Sequence, residues 1–306
     1  IELPRLNLVW HTPAMFQPGD AEMDVVAHIL GGGKASRLYK KLVYERQIAQ
    51  SVQVSQSSLS LGSVFDIEVV ARPGKSLEEI EALVDAELAE LSRTPPSAEE
   101  LQRARTAIET QMLARMEKVG ALADLVNHYN QMAGDPDYVG RDLARYQSLT
   151  PAAVSAAAAA QLRKQARVVV QALPGTQQLP PEVPTPPMPD AKTAAAISER
   201  EAMNGDEPWR RQQPKPGKAP ALSLPAAKRF SLANGLSIVH VPKPGLPLVS
   251  AALVLRAGQA ANPADKPGLA AFTAGMLQEG TSTRSSQQLA DELANLGASL
   301  GSGAGR

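Results

Sequence analysis

Of the 25 prolines in this 306-residue chain, 12 fall between Pro174 and Pro225. Proline fixes φ and removes an amide donor. The run Pro180-Pro181-Glu182-Val183-Pro184-Thr185-Pro186-Pro187 therefore continues neither a helix nor a central strand. It reads as an extended, semi-rigid linker, with a short helix expected near 194–203. The chain divides accordingly into a globular segment over 1–174, a linker over 175–226 and a second globular segment over 227–306.

Hydrophobic residues make up 43% of the chain but aromatics only 4%, so its cores are built from Ala, Leu, Val and Ile. Lys+Arg and Asp+Glu both number 31, and that balance lacks the basic surface a nucleic-acid or anionic-membrane partner requires. No apolar run is long enough to cross a bilayer. The absence of cysteine excludes disulfides, thiolate zinc sites and thiol nucleophiles. It suits an oxidising compartment such as a periplasm, with the cytoplasm as the alternative. Ile1 reads as an internal start with no signal peptide before it.

The first segment alternates strands and helices. Leu6–Trp10 is a short strand, and Asp20 is placed to cap a helix carrying Val25, Val26, Ile29 and Leu30. Gly31-Gly32-Gly33 ends that helix, and a second is expected over 36–44. Two strands follow, over 51–55 and 62–71. Ser76-Leu77-Glu78-Glu79 and Ser97-Ala98-Glu99-Glu100 are capping boxes that open two helices. Asp135-Pro136 and Thr150-Pro151 each set a cap before a first-turn proline, and Arg167–Leu173 closes the segment as a Val-rich strand.

In the last segment, runs over 229–232 and 236–241 flank Asn234-Gly235, a strong hairpin signal. A strand is expected over 249–255, a buried helix over 267–278, and a helix capped at Ser285 carrying Leu289, Leu293 and Leu296. The chain stops at Arg306 where a further strand would begin, so this segment is expected to be truncated.

The stretch Leu30-Gly31-Gly32-Gly33-Lys34-Ala35-Ser36-Arg37-Leu38-Tyr39, running on without gaps to Val52, resembles the C-terminal subdomain of an M16 (pitrilysin/insulinase-like) zinc peptidase half. Phe230-Ser231-Leu232-Ala233-Asn234-Gly235-Leu236 resembles the opening hairpin of an M16 N-terminal subdomain. Gly268-Leu269-Ala270-Ala271-Phe272-Thr273-Ala274-Gly275-Met276-Leu277-Gln278-Glu279-Gly280-Thr281 is similar to the family's G-L-A-H-F-L-E-H-M-L-x-x-G-T. In that motif two His bind zinc and the Glu is the general base for a bound water. Here those positions are Ala271, Ala274 and Gly275, which neither bind a metal nor move a proton.

The resemblance implies an α+β, M16/LuxS-like two-layer fold in both parts, each a mostly antiparallel sheet with helices on one face. It implies the C-terminal subdomain of a zinc-bearing first half over 1–174 and the start of a degenerate second half over 227–306. The zinc motif would lie upstream of Ile1. This section itself would hold no catalytic residue, no cofactor site and no metal. Zinc is expected in the full-length parent, and the partners are a peptide or unfolded protein and the other M16 subdomains of the same chain. Degenerate halves of the family supply an Arg and a Tyr that hold the substrate backbone. The matching positions here are Val43 and Gln50, so such a pair is expected beyond Arg306. The alternatives are an inactive M16-like scaffold or peptide-binding subunit, and an unrelated two-domain α+β binding protein.

Plainer readings cover the remaining features. Gly31-Gly32-Gly33-Lys34 lacks the Gly at 28 and the Ser or Thr at 35 of a phosphate loop, having His28 and Ala35 there. No two of His11, His28, His128 and His240 are four residues apart, and Asp24 beside His28 reads as a helix-face pair.

Overall fold

The computed structural model describes residues 1–176 and 223–305, together with 184, 187, 212, 215–219 and 221. The helix expected near 194–203 and most of the Pro180–Pro187 run lie outside the described residues. Ile1–Gly175 and Leu248–Arg306 form one compact unit and Thr176–Pro247 another.

The first unit is built on a four-stranded sheet of β1 (Arg5–Thr12), β2 (Ala49–Ser57), β3 (Ser63–Ala71) and β4 (Arg167–Ala172), in the order β2-β3-β1-β4. Every neighbouring pair is antiparallel. Side chains alternate across a strand, so Leu6, Leu8 and Trp10 fall on one face of β1 and are fully buried. On β3, Phe65, Ile67 and Val69 do the same, and the register sets Leu8 opposite Ile67 and Trp10 opposite Phe65. The Trp10 and Phe65 rings meet edge to face at 6.2 Å, and the indole N–H donates to the Arg163 carbonyl at 3.0 Å. A one-residue slip would turn this whole apolar set to the other face.

Helices cover that face. They include α1 (Asp20–Gly31), a π-helix (Tyr39–Glu45), α2 (Leu77–Arg93), α3 (Ala98–Met116) and α6 (Pro151–Gln161). Met23, Val26 and Leu30 of α1, Leu42 of the π-helix, Ile80, Val84 and Leu91 of α2, Leu101 of α3 and Val154 of α6 join one core with the strands. Full burial of each large aliphatic contributes about 1.5–3 kcal/mol. The architecture is α+β in two layers, as expected. Two more helices, α4 (Val119–Ala133) and α5 (Val139–Ser148), lie at one side and bury only Leu125, Tyr129, Asp142 and Tyr146.

The helix termini correct several expectations. Gly19, at φ 97°, is the N-cap of α1. Asp20 sits in the first turn, where its carboxylate accepts from the Phe16 amide (2.8 Å), Ser58 (2.6 Å) and Arg145 (2.7 Å). The segment expected as a helix over 36–44 is π-helical from Tyr39, its Arg46 amide reaching back five residues to the Lys41 carbonyl. Ser97 and Glu100 form the full reciprocal box on α3. Ser76 accepts from the Glu79 amide and its hydroxyl donates to Glu78, but the return bond from the Ser76 amide to the Glu79 carboxylate is not made. Asp135 caps no helix; it accepts from the Asp137 amide in a local turn, and α5 begins at Val139. Thr150 caps α6 with Pro151 in the first turn.

In the second unit β5 (Lys228–Ser231) and β6 (Ser237–His240) form the expected hairpin. Gly235 takes φ +85°, and the Asn234 side chain accepts from the Leu236 amide at 3.1 Å. Returning to the first unit, 248–305 contributes α7 (Leu269–Met276) and α8 (Ser286–Asn295). The strand expected over 249–255 is absent. No described strand pairs with it, and Val249 and Val254 are 97% and 83% exposed. For the same reason α7 is not the buried helix expected: it buries only Ala274 and leaves Phe272 outside. Among the described residues no helix is long and apolar enough to cross a membrane.

Candidate functional site

Gly268 is the N-cap of α7 and its φ of +89° turns the chain, and Asn262 accepts from the Ala270 amide at 2.9 Å. Ala271 and Gly275, four residues apart, lie on one helical face and are exposed. A Cβ at Gly275 would meet open space. Ala274, between them in sequence, is buried, and its carbonyl accepts from the Ser302 hydroxyl at 2.6 Å. The three positions thus share the helical geometry a metal motif needs, but carry methyl groups and a hydrogen where it needs nitrogen and oxygen donors. These residues do not fit zinc. Among the described residues no group of three His, Cys, Asp or Glu could hold a metal ion.

The glycine turn has a packing origin. Gly31 ends α1 directly against β2: a Cβ there would lie 2.5 Å from the Val54 side chain and 2.8 Å from its amide nitrogen. Gly33 takes φ +83°, which lets its carbonyl accept from the Ser36 hydroxyl at 2.7 Å. Arg37 donates to both oxygens of Glu100, at 2.6 and 2.9 Å, and to Glu87 at 3.3 Å. Lys41 reaches the other Glu87 oxygen at 2.5 Å. Glu100 raises the Arg37 pKa by its hydrogen bonds. Burial alone would raise the Glu100 carboxyl, but Arg37 and the Ser97 amide hold it below the ordinary value. With Leu38 and Leu42 fully buried, the Ser36–Leu42 stretch is a brace between the sheet, α2 and α3.

Val43 packs against the core and Gln50 is exposed on β2, so neither position presents the Arg or Tyr that would grip a peptide backbone. Gln47, at φ +52°, turns the chain between them.

A polar cluster that the sequence reading missed lies between α1 and α5. Asp24 does not pair with His28; it accepts from the Tyr146 hydroxyl at 2.7 Å. Burial pushes the Asp24 carboxyl up to about 7, against the Tyr146 hydrogen bond. Arg145 bridges Asp20 at 2.7 Å and Asp142 at 2.9 Å, and Tyr129 donates to Asp142 at 2.8 Å. His28, half-buried, is shifted down by its desolvation. A cavity of about 280 Å³ opens onto this cluster beside Phe16 and His128. The one available signal was spacing: Asp20 and Asp24 on α1, and Asp142 and Tyr146 on α5, each four residues apart.

Residues 1–108 match the family model described as the peptidase M16 inactive domain, and residues 238–305 match that of insulinase, peptidase family M16. Among solved structures, a protease from Helicobacter pylori is 20% identical, with a TM-score of 0.53 over 57% of this chain and 42% of that one. The chain thus spans less than half the length of that protein. The inactive peptidase domain of a candidate zinc protease from Bordetella parapertussis is 23% identical, with a TM-score of 0.53 over 60% of this chain and 97% of that one. A candidate zinc protease from Bordetella pertussis Tohama I is 25% identical, with a TM-score of 0.51 over 56% and 95%. No curated protein matches the chain.

Proposed function

The chain belongs to the M16 peptidase family, and from that premise we propose that it is a non-catalytic section of a zinc-dependent endopeptidase, spanning two halves of the parent. Residues 1–174 serve as the C-terminal subdomain of the first half, 175–226 as the linker, and 227–306 as the start of a degenerate second half. Zinc, the glutamate base and the attacking water belong to a motif upstream of Ile1. This section contributes walls around a peptide or unfolded protein substrate.

One observation carries the reading. Ala271, Ala274 and Gly275 stand on a helix in the frame of the family's metal motif, in a chain whose two family matches follow in that order. The absence of cysteine suits a periplasmic parent. The test compares zinc content and peptidase activity of the 306-residue chain and the full-length protein. The expected result is one zinc and peptide cleavage for the full-length protein, and neither for this chain. A full-length protein without zinc or cleavage would favour the inactive scaffold instead. Stoichiometric zinc on the 306-residue chain would overturn the assignment of its sites.

A further inference from the structure

Two stretches far apart in sequence meet beside α3. Lys34 pairs with Glu279 at 2.6 Å, and Lys40 reaches both oxygens of Asp291 at 2.9 and 3.2 Å. Arg103 lies 4.0 Å from the same Asp291, and Asn295 donates to Glu99 at 3.2 Å. In the three ion pairs the cations come from 1–175 and the anions from 248–305, while the Asn295 bond runs the other way, to a carboxylate of α3. The approach is close as well as charged. Gly297, at φ +62°, sits so near α3 that a Cβ there would fall 2.5 Å from Thr110 Oγ1 and 2.7 Å from Thr106 Cγ2.

Apolar burial in this contact is only partial, with Leu289, Leu293 and Ala294 half-buried. Helix α8 buries no residue and α7 only Ala274. Partly exposed ion pairs each contribute about 0–1 kcal/mol, and salt weakens them. A permanent joint between segments of this size would instead rest on an apolar seam.

We propose that Lys34, Lys40, Arg103 and the Thr106–Thr110 side of α3 form a clasp for the chain's own 279–297 segment, one that opens and recloses reversibly under ionic control. Opening uncovers Lys34 and Lys40 beside the glycine turn, while Arg103 keeps its nearer partner Glu99 at 3.0 Å. The clasp sets how closely 248–305 sits against 1–175, and it holds whether or not the parent is a peptidase.

Hydrogen exchange on the 306-residue chain tests this. Between 0.1 M and 1 M NaCl the screening length falls from about 10 Å to about 3 Å. Amides of α8 are expected to exchange about five-fold faster at the higher salt, while β1 and β3 keep their protection. Lys40→Glu and Asp291→Lys each loosen α8 at low salt, and the double reversal restores it. Gly297→Val opens the contact at either salt without changing charge. Unchanged β1 and β3 protection identifies the variants that fold. Salt-insensitive exchange in wild-type α8, or a double reversal no better protected than the single ones, overturns the proposal.

Discussion

Glu100 accepts two hydrogen bonds from Arg37, at 2.6 and 2.9 Å, while the same carboxylate accepts the Ser97 amide at 2.9 Å and completes the N-terminal box of α3. One side chain therefore caps a helix and anchors the stretch that leaves the glycine turn. Glu100→Ala should cost about 2–4 kcal/mol, combining a lost cap with an Arg37 left facing only Glu87. Glu100→Gln keeps an acceptor for the Ser97 amide and should cost about half as much. Urea unfolding of the two variants measures the difference, and equal losses would deny Glu100 its second role.

Asp24 supplies a pH dependence of unusual sign. Burial raises its carboxyl from 3.8 to about 7, with Asp20 adding repulsion, while Tyr146 and Arg145 act the other way. The folded state then holds a proton that the unfolded state releases near 3.8, so the Asp24 contribution to stability is greatest at acid pH. It is lost as pH rises toward 7, by about 2–4 kcal/mol in all. Asp24→Asn should remove that decline, leaving the opposite trend of His28, which burial shifts down. Below it the opposite limb takes over, because Asp85 and Glu100 are held low by Arg167 and Arg37 despite their burial. Their contribution disappears as pH falls through the carboxylate range. Urea midpoints of wild type and Asp24→Asn from pH 4 to 8 test both statements, and a wild-type minus variant difference that does not fall between 4 and 7 would refute the first.

Arg167 closes the edge of the sheet at β4. Its side chain is 2% exposed, bound to Glu81 at 2.5 Å and to Asp85, with its guanidinium 5.7 Å from the Trp10 ring centre. Removing it leaves two α2 carboxylates facing each other over an indole, relieved only by Lys164 at 2.9 Å from Asp85. Arg167→Ala should destabilise by about 2–4 kcal/mol. Arg167→Lys should recover less than half, since one ammonium cannot serve both carboxylates as the planar fork does. Trp10 fluorescence in a Trp209→Phe background should shift to the red in the Ala variant.

The elements read most directly from the sequence are those whose signal is local. The alternation of Leu6, Leu8 and Trp10 gives β1, the Ser97–Glu100 box starts α3, and Asn234-Gly235 turns the hairpin. What escaped depends on partners distant in sequence. Asp20 has the chemistry of a cap, but Arg145 and Ser58 claim its carboxylate, so Gly19 takes that place. Asp24 looks like a partner for His28 until α5 brings Tyr146 across. The strand expected over 249–255 fails for want of a neighbour, a condition no local pattern encodes. The degenerate site was legible because it is a substitution pattern within one helix, where Ala271, Ala274 and Gly275 replace donors at fixed spacing.

That helix can be made to report its own origin. Ala271 and Gly275 are exposed on one face, and a side chain at 275 has open space. Ala271→His with Gly275→His sets two imidazoles at the i, i+4 spacing that suits a zinc pair. The glycine replacement also removes about 0.5–1 kcal/mol of helix penalty. Neither single variant should retain zinc. In the double variant, zinc at about 100 times its Kd should stabilise α7 by about 2.7 kcal/mol, slowing amide exchange there about a hundredfold. Chelator competition should recover one zinc per chain. Binding equal to that of the single variants would mean that positions 271 and 275 do not share a face in solution, and the kinship of α7 to a metal-bearing helix would lose its geometric basis.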